Sequence, residues 1–183
     1  MENIKSFQSQ KVVKFLTIIF LGSILLTVSA KFKIPFYPVP MTMQTFVVLF
    51  FGLAFGYKIG LSIVGLYLIE GILGLPVFSN SPERGVGLIY FTGPTMGYLI
   101  GFLFAVFLSG YLDLKKNIFI IFFKLLLSVS VIYILGLIWL GILIGWDKPI
   151  LELGAIPFLP AELLKVLILT LLTKKIIKLR SFI

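Results

Sequence analysis

The feature that most constrains this chain is a succession of apolar runs, at roughly 12–30, 42–56, 59–74, 94–112, 118–145 and 156–173, separated only by charges or Pro/Gly clusters. Inside a bilayer no water is available to the backbone, so each run must satisfy its own N–H and C=O groups, which a helix does. The expectation is an all-α integral membrane protein: a single transmembrane domain over residues 1–183, a bundle of six transmembrane helices. Composition agrees, with 60% hydrophobic residues and 13% charged ones against about 25% charged in soluble domains. The second and third runs are short of the ~20 residues of a full crossing, and only Tyr57 and Lys58 separate them. They read as a tight helical hairpin broken at Gly56. Irregular backbone must then complete their outer ends, and at membrane depth it is tolerated only where protein buries it or where it lines a cavity.

The 16 Lys+Arg and 7 Asp+Glu give a net charge of +9, and the cations are unevenly placed. With both termini cytoplasmic, ten fall on the inner side: Lys5, Lys11, Lys14, Lys58, Lys115, Lys116, Lys174, Lys175, Lys178 and Arg180. Four fall outside, namely Lys31, Lys33, Arg84 and Lys148, which leaves Lys124 and Lys165 within spans. That asymmetry follows the positive-inside rule. The charge is a topology signal and does not point to nucleic acid. The first run has no small-residue cleavage site after it and reads as a retained helix.

His and Cys are both absent. This removes the ligands that dominate zinc, haem and iron–sulfur sites, along with thiol nucleophiles and disulfides. Neither a metal nor a cofactor is expected, and most intramembrane hydrolase chemistry is disfavoured. No G-x-x-x-x-G-K-[ST] occurs, so ATP-driven work would need a partner.

Ionisable groups within spans are costly and are functional candidates by default. Glu162 and Lys165 sit in the last run, about 12 and 9 residues before Lys174, or roughly 18 and 13 Å up a helix at 1.5 Å per residue. Counted from the Tyr57–Lys58 turn, Glu70 and Gln44 reach about the same height in the third and second runs. Gln44, Glu70 and Glu162 therefore share one level near mid-membrane, and their convergence is the main site signal. The alternative for Glu162 and Lys165 is an i,i+3 ion pair that serves packing only.

In the fourth run Gly93, Gly97, Gly101, Ala105 and Ser109 recur every four residues and form a smooth ridge. Such ridges more often serve internal helix packing than partner docking. Ser23 and Thr27 repeat the pattern more weakly in the first run. Two outer loops remain. Residues 31–40, KFKIPFYPVP, are stiffened by three prolines. The loop from Gly74 onward carries Asn80, Glu83 and Arg84 and is the natural lid over the polar level.

Four blocks, IPFYPVPMTMQTF at 34–46, GLPVF at 74–78, SPERGVGLIYFTGPTMGYLIGF at 81–102 and PFLPAELLK at 157–165, resemble the BioY family. This is the family of biotin-specific substrate-binding S components of energy-coupling factor transporters. The resemblance runs in order along nearly the whole chain. It implies a six-helix bundle in the bacterial cytoplasmic (inner) membrane, with biotin held on the extracellular side beneath the loop after the third helix. It also implies a transmembrane coupling subunit and paired ATPases as partners. An acid–Lys pair of the family's biotin site falls on Glu162 and Lys165, its loop after Leu-Pro-Val on residues 79–84, and its Gln and Tyr on Gln44 and Tyr98. The chain departs from the family where Ala161 and Glu162 replace Gly-Asp, an extra methylene that moves the carboxylate by about 1.5 Å, and where Met96 replaces a Gly. A docking Ala pair in the first helix is replaced by Ser23 and Thr27.

Biotin suits these residues chemically. A carboxylate and an amide, Glu162 and Gln44, can meet its ureido group, and Lys165 or Arg84 its carboxylate. Glu70, Asn80 and Tyr98 complete the candidate set. The competing reading is a stand-alone secondary or proton-coupled vitamin permease titrating Glu70 and Glu162, although the halves show no internal repeat of the kind such transporters carry. An intramembrane enzyme ranks third.

Overall fold

The first helix, α1 (Glu2–Lys31), leads into two-residue strands, β1 (Lys33–Ile34) and β2 (Met41–Thr42), paired antiparallel with Lys33 opposite Thr42 and Ile34 opposite Met41. Then come α2 (Gln44–Ile72), α3 (Met96–Gly110), α4 (Ile118–Ile144), the one-turn α5 (Ile150–Gly154) and α6 (Leu159–Ile176). Short 3₁₀ turns occupy Gly87–Thr92, Ile156–Phe158 and Ile177–Phe182. This computed structural model describes residues 2–111 and 117–182, with the side chains of 10–111 and 117–180. Lys115, Lys116 and the last residue of the fourth predicted span lie outside the described residues, as does the side chain of Lys5.

The expected hairpin is present within α2. Gly56 has φ 79° and ψ 172°, a conformation that a side chain would strain. The chain folds back on itself there. A Cβ built on Gly60 would lie 3.6 Å from the Gly52 nitrogen, and the Gln44 amide donates to the Tyr67 hydroxyl at 2.7 Å. In a straight helix these last two residues would stand about 35 Å apart. The two arms, 44–55 and 57–72, bring the membrane helices to six. Gln10–Lys31, Gln44–Ile72, Ile118–Ile144 and Ile150–Arg180 are long and apolar enough to cross a bilayer, and Met96–Gly110 is a shorter apolar helix. The chain is a membrane protein.

The glycine ridge of α3 lies inside the bundle. A Cβ on Gly101 would come 2.7 Å from the Ile132 Cα, and one on Gly97 2.6 Å from the Trp139 Cβ, so only glycine lets α3 and α4 approach this closely. Further along, Ser109 faces Gly52 and Gly110 faces the backbone of Tyr57 in the α2 turn. The ridge is consumed by packing, the commoner of its two uses. At the same end Arg180 donates to Leu53 O at 2.8 Å, Gly52 O at 3.0 Å and Gly110 O at 3.2 Å. These carbonyls end the first arm of α2 and close α3, and one guanidinium fork satisfies both helix ends.

Candidate ligand-binding site

At the opposite end from Arg180 the loops and helix starts enclose a cavity whose empty space, open mouth included, is about 520 Å³. Val39 to Thr42 form one rim, Ser79 and Tyr90 come from the long loop, and Tyr98, Leu99 and Phe102 from α3. Tyr133 of α4, Phe158 and Glu162 close the far side, while Gln44 and Thr45 project from the start of α2. The lining is aromatic and aliphatic with a few hydroxyls, one amide and one acid.

Glu162 is in the first turn of α6, where the N-terminal end of the helix favours a negative charge. It lies on the face that also buries Lys165, Val166, Leu169, Thr170 and Thr173, at i, i+3, i+4 spacing. Its Oε1 accepts from Thr45 Oγ1 at 2.9 Å and from Lys165 Nζ at 2.7 Å. The residue is 4% exposed. Its Oε2 is buried without a donor at hydrogen-bonding geometry among the described residues. Tyr133 stands close enough to interact with the carboxylate but does not satisfy that oxygen. A buried polar atom left without a partner carries a desolvation cost of about 1–3 kcal/mol, and an N–H or O–H donor would offset it.

Lys165 is 7% exposed and already has a complete set of acceptors. It donates to Glu162 Oε1, to Thr42 O at 2.7 Å and to Thr45 Oγ1 at 3.0 Å, which uses its three N–H bonds. Its ammonium lies behind the acid and off the cavity wall, and it borders a separate apolar groove with Phe32, Ile34 and Ala161. Of the residues singled out from sequence, Gln44, Tyr98 and Glu162 are brought together on the cavity wall. Gln44 is held by Tyr67 and by Thr42 Oγ1 at 3.3 Å, and the Tyr98 hydroxyl is tied to Gly154 O at 2.8 Å.

The others stand elsewhere. Glu70 accepts from Ser23 Oγ at 3.0 Å on the α1 side and is absent from the cavity lining, so its matching depth did not bring it to the site. The same bond ties Ser23, the candidate docking residue, to α2. That residue is fully buried between α1 and α2, while Thr27 is half-buried and bonds the Ser23 carbonyl. Arg84 lies on the rim, outside the lining, donating one N–H to Pro38 O at 2.7 Å with its guanidinium 5.4 Å over the Tyr37 ring. Asn80 accepts from Lys33 at 3.0 Å and lies behind Ser79, outside the lining. Ser79, the first residue of the 79–84 loop segment, lines the cavity, as do Thr45, Tyr90, Thr95 and Tyr133, which the sequence did not announce. Thr45 follows Gln44 directly in the quoted block, and one helical turn from Thr42 it could have been found there. Tyr133, lone in an apolar run, offered no such signal. Among the described residues no group of three or more potential metal ligands gathers.

A helical membrane bundle with a small, loop-roofed cavity near one end, holding one unsatisfied acid, defines a class: membrane-embedded binders of small molecules. A sequence model described as the BioY family matches residues 2–182, and the chain belongs to that family. It is 35% identical to a probable biotin transporter BioY of Pyrococcus horikoshii, over 77% of this chain and 82% of that protein. It is 34% identical to the biotin transporter BioY of Thermotoga maritima, over 85% and 90%. Among solved structures it resembles the S-component for biotin from an ECF-type ABC transporter, with a TM-score of 0.76 and 27% identity over 92% and 93% of the two chains. The relatives are transporters, and this chain is a transport protein and not an enzyme.

Proposed function

We propose that this chain binds biotin in the cavity beneath the long loop and delivers it across the cytoplasmic membrane as the S component of an energy-coupling factor transporter. Both termini are cytoplasmic, the cavity faces outward, and a transmembrane coupling subunit with ATPase subunits supplies the energy. No cofactor takes part, since biotin is cargo and ATP is used only by the partners. The observation that carries the reading is the orphaned Glu162 Oε2 in an otherwise aromatic and hydroxyl-lined pocket. A ureido N–H donates to that oxygen, Gln44 and Thr45 offer further polar contacts, and the rings of Tyr98, Tyr133 and Phe158 cover the apolar bicycle. Lys165 has all three N–H bonds filled within the protein, whereas Arg84 gives one N–H to Pro38 O and keeps others with which to meet the biotin carboxylate at the rim.

The permease alternative needs Glu70 and Glu162 to exchange a proton. They bond different partners, Ser23 for one and Thr45 with Lys165 for the other, and share none among the described residues. Titration calorimetry of the purified chain tests the binding reading. The double change Glu162→Gln with Lys165→Met keeps shape and removes both charges, and it should weaken biotin at least about tenfold, or ~1.4 kcal/mol. Equal affinity in the double variant would make the pair purely structural.

A further inference from the structure

The positive-inside pattern leaves four cations on the loop-bearing side, and three of them donate to loop oxygens. Arg84 takes Pro38 O, whereas Lys31 at the end of α1 and Lys33 in β1 supply a more concentrated arrangement. Lys31 Nζ donates to Phe78 O and Ser81 O, both at 2.8 Å. Lys33 Nζ donates to Ser79 O at 2.7 Å and Asn80 Oδ1 at 3.0 Å. Four consecutive residues of the long loop, 78 to 81, thus each give one oxygen to two ammonium groups from an element some 46 to 50 positions earlier. Lys148, the fourth cation, pairs instead with its neighbour Asp147 at 3.2 Å.

The consequence lies on the other side of this turn. With the Phe78, Ser79 and Ser81 carbonyls drawn toward the lysines, Ser79 is buried and lines the cavity beside Tyr90. The Tyr90 hydroxyl lies 3.3 Å from Ser79 Oγ and accepts from the Asn80 N–H at 3.3 Å. The Phe78 ring stacks on Tyr90 with centroids 4.6 Å apart. The turn and Tyr90 therefore form one unit, with the two lysines as its outer anchor. Charge-assisted bonds to backbone oxygens are about twice as strong as neutral ones, and here they substitute for a ladder that this irregular loop lacks.

We infer that Lys31 and Lys33 are positioning residues for the ligand site: they hold the 78–81 turn closed over the cavity and so set how slowly bound ligand leaves. The inference deepens the biotin-binding reading and rests on it. The Lys33 backbone also pairs with Thr42 on the rim, but the two ammonium groups reach the cavity only through the turn, so removing them should open the roof and leave the polar floor at Glu162 and Gln44 intact.

Two measurements on the full chain in lipid nanodiscs test this. The first needs no ligand. The chain has no native cysteine, so Ser79→Cys can be labelled with a maleimide, and its rate should rise at least tenfold when Lys31→Met and Lys33→Met are added. The second is release of radiolabelled biotin into excess unlabelled biotin, which should be at least tenfold faster in the double Met variant, with association no slower. The double Arg variant, Lys31→Arg with Lys33→Arg, should restore both towards the parent, which a loss of general stability would not predict. Unchanged labelling overturns the anchoring whatever the ligand is. Raised labelling with unchanged biotin release overturns the control of residence time while leaving biotin binding intact. Failure of the unaltered chain to bind biotin overturns the functional reading, and with it the link between this roof and biotin.

Discussion

The Glu162–Lys165 pair is asymmetric in what each member still lacks. Lys165 has filled its three N–H bonds within the protein, whereas Glu162 retains one empty oxygen. The lysine is therefore committed within the protein, and the acid keeps an oxygen able to accept a donor. Lys165→Met alone would leave a buried carboxylate without its counter-charge, at a cost of about 3–5 kcal/mol. The expected outcome is a markedly lower melting temperature for that single variant in detergent than for Glu162→Gln with Lys165→Met together. If the double variant melts as low as the single one, the stranded charge is not the cause. Sequence spacing was enough to find this pair, because a charge at depth on an apolar helix is conspicuous. It could not say which way each side chain turns: Glu70 has the same depth as Glu162, but faces Ser23 on α1. Depth is set by position along one helix, while facing is set by how neighbouring helices pack, which no single run contains.

At the scale of elements, the close contact of α3 with α4 positions one wall of the cavity, since Tyr98, Leu99 and Phe102 share a helix with Gly97 and Gly101. A methyl on Gly101 would meet the Ile132 Cα at 2.7 Å, backbone against side chain, and one of the helices must shift. Overpacking of this kind costs typically about 1–3 kcal/mol. Gly101→Ala should accordingly lower thermal stability and weaken biotin together. Gly65→Ala is the matched control: a Cβ there meets nothing within 4 Å, and alanine favours a helix by up to about 1 kcal/mol. Equal behaviour of the two variants would remove the close-packing argument. Element positions were legible in the sequence because apolar runs, proline and glycine punctuate it. The α2 turn at Gly56 was foreseen from two runs too short to cross and only two residues between them. The β1–β2 pair was not, since two-residue strands in a proline-rich loop leave no periodic trace.

For the whole molecule, the unequal lysine and arginine counts and the partner-driven mechanism both make checkable statements. A cysteine introduced at the exposed Leu151 should react with an impermeant reagent applied to intact cells, and one at Asn117 should not. Reaction at Asn117 alone would invert the assigned orientation. Reconstituted by itself in liposomes, the chain should bind biotin without concentrating it, until coupling and ATPase subunits are added. Uptake powered by an imposed pH gradient without partners would favour a permease. The first arm of α2 has a further property. Its start is tied to Glu162 through Thr45, and its end to Arg180 through the Gly52 and Leu53 carbonyls. Both ties come from the last helix and the turn that follows it, 117 to 128 positions later in the chain. A ribosome delivering this protein into a membrane thus releases a first arm whose two ends gain these bonds only when the final segment emerges.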